Sequence, residues 1–250
     1  MENRLGGRML WGVMFCLHRP LHDEAAVRVA HKVMRAAGVE GIWWGGDLVD
    51  LATVSRWDDS DDYEHCLQDE FDDLARYFDW VHKRHPKLKR LVWQDGNHED
   101  RVAHYLRRNA QKLTSLRCLK LESLARVDEF GVERVHGPKK LAGGRFMLKH
   151  GVKTGEYAGR AELAIEGRSG MCSHNHRLRV WSGSPRDRKP LFWYHGGTLM
   201  SLPPRYVDRD NWMSWQQGVN LLWVNGTDWS VEQVPVYRGK AVWRGMEFSA

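Results

Sequence analysis

Short apolar runs alternate with amphipathic stretches over residues 9–166, and few folds are compatible with such an alternation. Buried strands are indicated by the apolar runs at residues 9–15, 39–44, 91–93 and 146–148. Apolar residues at helical spacing predict helices over residues 23–38, 66–85, 102–113 and 156–166. Strands that alternate with helices in this way are typical of an α/β sheet.

The pattern changes after residue 170, where strands follow one another without long helical stretches. They are predicted at residues 179–181, 191–194, 219–224, 230–236 and 241–243. Because Asn225-Gly226 and Arg238-Gly239 are hairpin-turn dipeptides, this part is expected to be mainly antiparallel. No repeat or linker interrupts the sequence, and 250 residues suit one large core. We therefore predict a single domain over residues 1–250.

The charge balance favours anionic partners. The formal net charge is +6, with an acidic run at residues 58–73 and a basic run at residues 101–120. Each run could equally be a solvated face. The four cysteines form no CxxC pair, residues 1–8 lack the apolar core of a signal peptide, and no segment approaches the ~20 apolar residues of a membrane span. We expect a cytoplasmic protein with no membrane partner, and its oligomeric state is left open.

Side chains that bind metals follow the ends of several predicted strands. Loops at the carboxyl ends of strands are where open α/β sheets build their sites. Imidazole, carboxylate and amide oxygen together suit first-row divalent ions. The residues are His18 after the first strand, Asp47 after the second, Asn97, His98 and Glu99 after the third, His150 after the fourth, and His174 and His176 beyond residues 170–172.

The order of these clusters resembles the signature of the calcineurin-like metallophosphoesterase superfamily. That signature is Asp-x-His, Gly-Asp-x-x-Asp, Gly-Asn-His-Glu/Asp, a His before Gly, and Gly-His-x-His. The last four motifs are present at residues 46–50 (GDLVD), 96–99 (GNHE), 150–151 (HG) and 173–176 (SHNH). Residues 16–23 (CLHRPLHD) are similar to a phage and bacterial branch, for which the location would be the host cytoplasm. Two positions depart from the signature, with Cys16 in place of Asp and Ser173 in place of Gly.

The resemblance implies a four-layer αββα sandwich, in which two mixed β-sheets are flanked by helices. It also implies two divalent metal ions, with Mn, Zn, Fe or Ni as candidates. A thiolate at Cys16 would favour Zn or Fe over Mn or would weaken one site, and His22 and Asp23 are alternative ligands nearby. The implied ligands are Cys16, His18, Asp47 and His176 for one ion, and Asp47, Asn97, His150 and His174 for the other.

The resemblance also assigns roles around the metals. His98 would be a catalytic residue that stabilises the phosphoryl charge or protonates the leaving group, and Glu99 would orient its ring. Asn97 would bind substrate as well as metal. Arg101 is either a phosphate clamp or an ordinary first residue of a helix, and Asp50 either supports the site or closes its own turn.

The expected reaction is metal-dependent hydrolysis of a phosphate ester by a metal-activated water, and the substrate is left open. A phosphodiesterase or nuclease acting on nucleotides or nucleic acid is the leading hypothesis, because basic residues follow the third and fifth motifs. Trp212 and Trp215 could stack on bases or pack the sheets. The alternatives are a phosphomonoesterase or protein phosphatase, and a catalytically weakened nucleic-acid-binding protein. The basic residues are Arg101, Arg107, Arg108, Lys112, Arg177, Arg179, Arg186, Arg188 and Lys189.

Overall fold

Two mixed β-sheets form the centre of the computed structural model, which describes residues 8–55, 66–184, 189–204 and 212–250. Residues 58–65 of the acidic run, the basic residues Arg186 and Arg188, and residues 1–7 lie outside this part of the chain. The strands are β1 (Met9–Met14), β2 (Gly41–Trp44), β3 (Arg90–Gln94), β4 (Val132–Val135), β5 (Lys139–Leu141), β6 (Phe146–Leu148), β7 (Ser169–Cys172), β8 (Leu178–Gly183), β9 (Leu191–Gly196), β10 (Gln217–Asn225), β11 (Asp228–Val236), β12 (Lys240–Trp243) and β13 (Met246–Ser249). The α-helices are α1 (Glu24–Ala37), α2 (Leu67–Arg84), α3 (Arg101–Asn109), α4 (Leu121–Leu124) and α5 (Ala158–Glu166).

The first sheet has the strand order β11-β10-β1-β2-β3-β4. Strands β1 to β4 run parallel, and β10 and β11 extend the sheet as antiparallel strands. All four residues of β2 are buried, as expected for a parallel strand that is covered on both faces. The carboxyl ends of β1, β2 and β3 therefore lie side by side at one edge of this sheet.

The second sheet has the strand order β5-β6-β7-β9-β8. The predicted antiparallel character is confirmed for β8 with β9 and for β10 with β11, whereas β7 and β9 are parallel. Both predicted hairpin turns are present, with positive φ at Gly226, Arg238 and Gly239. A separate hairpin of β12 and β13 lies against α1.

Alternation of side chains along the strands separates the layers. On β2, Trp44 packs with the apolar faces of α1 and α2, while Trp43 packs into the core between the two sheets. On the far side, Leu163 of α5 packs with Trp193 of the second sheet. Each fully buried tryptophan removes about 200 Å² from water, which contributes about 5 kcal/mol before entropy is counted. The order helix, sheet, sheet, helix confirms the expected αββα sandwich.

The helix boundaries follow from local signals. The Asp23 carboxylate accepts a hydrogen bond from the backbone N of Ala26, which caps α1, and Gly38 ends α1 with a φ of 70°. The apolar residues at helical spacing over residues 66–85 form the buried stripe of α2, which includes Phe71, Leu74, Phe78 and Val81. α3 is shorter than predicted and ends at Asn109, and residues 111–113 then form one 3₁₀ turn. Because only Val102 of α3 is buried, packing contributes little to lengthening that helix. No helix in the described ranges is long and apolar enough to cross a membrane.

Candidate metal centre

The loops after β1 and β2 continue the parallel pairing of those strands. The backbone N of Cys16 donates to the carbonyl of Gly46 at 3.0 Å, and the backbone N of His18 donates to the carbonyl of Asp47 at 3.0 Å. These bonds fix the register of the two loops, so that Cys16, His18 and Asp47 come together. All three residues are buried.

The other candidate ligands also follow parallel strands. Asn97 and His98 follow β3, His150 follows β6, and His174 and His176 follow β7. The carboxyl ends of strands from both sheets therefore meet at one edge of the sandwich, where open α/β folds build their sites. The structure brings every predicted metal ligand into this cluster.

Much of the cluster has an unusual backbone conformation. Left-handed φ angles occur at Cys16 (51°), His18 (51°), Asp47 (50°), His174 (79°) and His176 (57°). For non-glycine residues this conformation costs roughly 1–2 kcal/mol each, and such costs concentrate at functional sites. The surrounding sheet bonds hold these five side chains in place despite the cost.

The first half of the site surrounds His150. Its Nδ1 lies 3.2 Å from the carbonyl of Gly45, so Nδ1 carries a proton, and Nε2 presents a lone pair when the ring is neutral. That Nε2 lies 3.0 Å from Asp47 Oδ2, 3.1 Å from His174 Nδ1 and 3.2 Å from Asn97 Oδ1. A carboxylate oxygen, an amide oxygen and two imidazole nitrogens thus point at one another. A bound cation satisfies all of them at once, which is the arrangement that a metal site requires.

The second half of the site contains His18, His176 and Cys16. The Asp50 carboxylate lies 2.8 Å from Nδ1 of His18, which leaves His18 Nε2 as a lone pair facing His176 Nε2 at 3.2 Å. The Sγ of Cys16 and one ring nitrogen of each histidine all lie within 4.8 Å of one another. The Nδ1 of His176 is buried without a hydrogen-bond partner among the described residues. These donors also fit a cation.

Asp47 lies between the two halves. Its Oδ2 is 3.0 Å from His150 Nε2 and 3.9 Å from His18 Nε2, and its Oδ1 accepts a hydrogen bond from the backbone N of His98. Burial alone would raise the pKa of this carboxyl, but the neighbouring His150 and His98 hold it well below its usual range. A permanent carboxylate between two groups of ligands fits the bridging position of a dinuclear site.

Cys16 carries the main chemical departure from the expected ligand set. Burial and the nearby Asp47 raise the pKa of the Cys16 thiol well above its usual range. The thiol therefore stays neutral until a cation displaces its proton. The alternative ligands have other partners, because Asp23 caps α1 and His22 Nε2 lies 3.0 Å from Glu24.

His98 lies beside the metal ligands. Its Nδ1 is 2.8 Å from the carbonyl of Asp50 and 3.2 Å from the Asp50 carboxylate, and its Nε2 is 3.8 Å from Asp47 Oδ2. Burial would lower the pKa of His98, but Asp47 and Asp50 outweigh burial and raise it to about 9. Asp50 thus contacts both His18 and His98. Of the two alternatives for Asp50, these contacts favour support of the site over a role confined to its own turn.

The predicted role of Glu99 is wrong. Its carboxylate accepts hydrogen bonds from the backbone N of Asp47 (3.0 Å), Leu48 (2.8 Å) and Gly96 (2.7 Å), and from Trp93 Nε1 (3.1 Å). A buried carboxylate needs such donors, and here they are three loop amides and one indole rather than the His98 ring. Glu99 holds the loops after β2 and β3 together, while Asp50 orients His98.

Arg101 occupies the helix-start position considered for it and also lies beside the site. It is the first residue of α3, and its guanidinium donates to the carbonyl of Asp50 at 2.7 Å and lies 3.1 Å from His98 Nε2. About a fifth of its side chain is exposed. Contact with phosphate remains a prediction for this residue.

Glycines at two motif positions allow the ligands to approach. A Cβ at Gly46, where φ is 103°, would lie 2.5 Å from Nδ1 of His150. A Cβ at Gly96 would lie 2.2 Å from Oδ1 of Asp47. Any larger residue at either position would displace a metal ligand.

One supporting pair was not predicted as such. Asn175 lies between His174 and His176, and its Nδ2 donates to Nδ1 of the buried His195 at 2.6 Å. This bond anchors the turn that carries two of the ligands. The only sequence signal was the position of His195 before two glycines at the end of a predicted strand.

Comparisons with known proteins add weak structural likenesses only. No protein-family model matches the sequence, and no curated protein matches it significantly. Among solved structures, Vps29 from Entamoeba histolytica complexed with Zn²⁺ has 14% identity and a TM-score of 0.49, over 94% of this chain and 96% of that one. The nuclease MPE of Pseudomonas putida has 14% identity and a TM-score of 0.38 over 84% and 82%. The phosphoesterase YfcE of E. coli has 12% identity and a TM-score of 0.40 over 92% and 100%. The function proposed below therefore rests on the geometry of the site.

Proposed function

We propose that this protein is a metal-dependent phosphodiesterase of the calcineurin-like metallophosphoesterase superfamily, acting on nucleotide or nucleic-acid esters. The observation that carries the proposal is the convergence of Asp47 Oδ2, Asn97 Oδ1 and His174 Nδ1 on Nε2 of His150, all within 3.2 Å of that nitrogen. The order of the motifs along the chain supports the same assignment. The phage and bacterial branch, a single domain over residues 1–250 and a cytoplasmic location remain predictions.

Two divalent cations would fit the site. One would be held by Cys16, His18, Asp47 and His176, and the other by Asp47, Asn97, His150 and His174. When bound, such ions polarise phosphoryl oxygens and lower the pKa of a coordinated water to near neutrality. The nitrogen, sulfur and oxygen donors present here favour Zn or Fe over Mn.

The protein itself supplies a proton and a fixed geometry. Asp47 and Asp50 outweigh burial and raise the pKa of His98 to about 9, which favours its protonated form, while the nearby Arg101 opposes this shift. In the protonated form, Nε2–H would donate to a phosphoryl or leaving-group oxygen at the site. Asp50 fixes the ring through Nδ1, and the Arg101 guanidinium adds positive charge beside it.

The proposal is tested with metal-stripped protein and methyl p-nitrophenyl phosphate, with Mn, Zn, Fe or Ni added back singly. We expect turnover that depends on metal and that falls at least about a hundredfold in Asn97→Ala. p-Nitrophenyl phosphate is measured in parallel. Faster hydrolysis of this monoester would replace the diester part of the proposal with a phosphomonoesterase, and hydrolysis of neither ester with any metal would contradict the proposal.

Cys16 supports a second candidate, which is a catalytically weakened protein that binds nucleic acid. A neutral, buried thiol in a ligand position weakens one metal site unless the cation displaces its proton. The variant Cys16→Asp separates the two candidates. If the wild type is active, we expect Cys16→Asp to shift the metal preference towards Mn by about tenfold. Activity that appears only in Cys16→Asp would favour the weakened protein.

A further inference from the structure

The turn at residues 212–216 is attached directly to a proposed metal ligand. The ring of Trp215 lies edge-to-face against the ring of His176, with 4.1 Å between centroids and an interplanar angle of 82°. The backbone N of Gln216 donates to the carbonyl of His176 at 2.8 Å. These contacts place an indole ring at the margin of the metal centre, and Trp215 is only partly buried.

Arg177 adds a cation at the same margin. It directly follows His176, and its Nε donates to Ser214 Oγ of the same turn at 3.0 Å. Its Nη1 is buried and has no hydrogen-bond partner among the described residues. No carboxylate in the described ranges lies within ion-pair distance of its guanidinium. Among the described residues, the Arg177 guanidinium therefore has no carboxylate partner and keeps one unused donor next to the candidate metal centre.

We propose that Trp215 and Arg177 form a nucleoside-phosphate subsite, in which Trp215 stacks on the base and Arg177 attracts the anionic backbone. The proposal rests on the phosphodiesterase function proposed above and assigns two residues to the recognition of its nucleotide substrate. An indole stacks on any base because every base has a π-face, and a guanidinium with a free N–H matches a phosphate oxygen. The subsite distinguishes nucleotide esters from simple alkyl esters of the same phosphate.

The alternative role of Trp215 is to hold the His176 ring in place. Two substrates separate the roles, because thymidine 5′-(p-nitrophenyl phosphate) and methyl p-nitrophenyl phosphate share a leaving group and differ in the nucleoside. We expect the wild type to prefer the thymidine ester. Trp215→Ala should lower kcat/KM for that ester about tenfold through KM, and change the methyl ester less than twofold. Trp215→Phe, which keeps a ring, should retain most of the preference.

Met213 provides a matched control, because it lies in the same turn and is 71% exposed. Met213→Ala should leave kcat/KM for both esters unchanged. Equal losses on both esters in Trp215→Ala, or a loss of bound metal measured by elemental analysis, would assign Trp215 to the support of His176 and overturn the subsite. A wild type that shows no preference for the thymidine ester would overturn it as well.

The contribution of Arg177 is measured separately. Arg177→Gln should lower kcat/KM for both esters by a similar factor of about three to ten, since both esters are anions. Arg177→Lys should restore part of the loss. Unchanged kinetics in Arg177→Gln would remove Arg177 from the subsite.

Failure of the subsite can be distinguished from failure of the proposed function. If the wild type hydrolyses neither ester, the phosphodiesterase function is contradicted, and calorimetry on zinc-loaded protein then tests the subsite alone. Thymidine 5′-phosphate should bind about tenfold tighter than methyl phosphate, and Trp215→Ala should remove the difference. Equal binding of the two ligands by the wild type would overturn the subsite.

Discussion

One cluster of buried histidines lies at the candidate metal centre, and another lies between α1 and α2. In the helical cluster, His31 Nδ1 is 2.8 Å from His85 Nε2, and His31 Nε2 is 2.9 Å from the hydroxyl of Tyr77. Trp44 Nε1 donates to the same hydroxyl at 3.1 Å. Each contact can pair one donor with one acceptor when both imidazoles are neutral.

The candidate metal centre lacks this pairing of each donor with an acceptor. Around His150 Nε2, the nearest atoms of Asp47 and Asn97 are oxygens that only accept, His174 contributes a ring nitrogen, and His18 and His176 face each other through Nε2. Both clusters consist of buried imidazoles, so burial alone does not mark a metal site. Ring nitrogens grouped with several acceptor oxygens, on a backbone held at positive φ, distinguish the site from a satisfied polar core.

The largest expected effect tests the bridging position. Asp47→Asn removes the carboxylate shared by both halves of the site, and we expect a loss of turnover of about a thousandfold, equivalent to about 4 kcal/mol. Turnover and bound metal are measured together, and circular dichroism confirms the fold. Activity within tenfold of the wild type would show that Asp47 does not bridge.

Metal binding should stabilise only a protein whose site is intact. A cation at a hundred times its Kd stabilises the native state by about 2.7 kcal/mol, so zinc should raise the melting temperature of the stripped wild type. His176→Ala should lose this increase. His31→Gln, in the helical cluster, should melt earlier with and without zinc but keep the full increase. An increase of equal size in His176→Ala would refute the assigned ligand.

The positioning role of Asp50 predicts an intermediate effect. Asp50→Asn keeps the shape but removes the charge that orients His18 and His98, and we expect a loss of tenfold to a hundredfold in metal affinity or turnover. Titration of stripped protein and steady-state kinetics measure the two quantities. Asp72→Asn, an exposed change on α2, is the matched control. A twofold change or less would return Asp50 to a simple turn role.

The smallest expected effect is a loss of stability at acid pH, which originates in the helical cluster. Burial, with a smaller contribution from Arg35, lowers the pKa of His85 to about 4. Because the pKa of His85 is lower in the folded state, the free energy of unfolding is at its full value above pH 6.5 and decreases as the pH falls towards 4. The decrease is about 2 kcal/mol after allowance for solvent screening. Denaturant unfolding of stripped protein at pH 7 and pH 4.5 measures the loss. His85→Gln should lose less free energy of unfolding between the two pH values. An equal loss in the variant and the wild type would contradict the assignment of this effect to His85.

Local patterns predicted the parts of the fold that depend on neighbouring residues. The cap at Asp23, the stop at Gly38 and the stripe of α2 are set within a few turns of chain, so they could be read directly. The edge strands β4 and β5 were missed, because they are short and at least half of the residues in each are polar. The hairpin strand β13 was missed for the same reason.

The types of ligand could be read from the sequence, but their partners could not. Imidazole and carboxylate side chains after strand ends indicate a metal edge because parallel strands bring their carboxyl ends together. The resemblance gave Glu99 as the carboxylate that orients His98, yet its carboxylate accepts hydrogen bonds from the amides of the loop after β2.

The sequence by itself determined which side chains reach the edge of the sandwich and that they suit divalent cations. Only the tertiary structure decided which nitrogen of each ring faces the site, which carboxylate orients which histidine, and that Trp215 and Arg177 lie beside the ligands. His18 and His176 are 158 residues apart and yet 3.2 Å from each other. Such a distance is set by the packing of two sheets and the rotation of each ring, and hydrophobic periodicity along a chain carries no information about either.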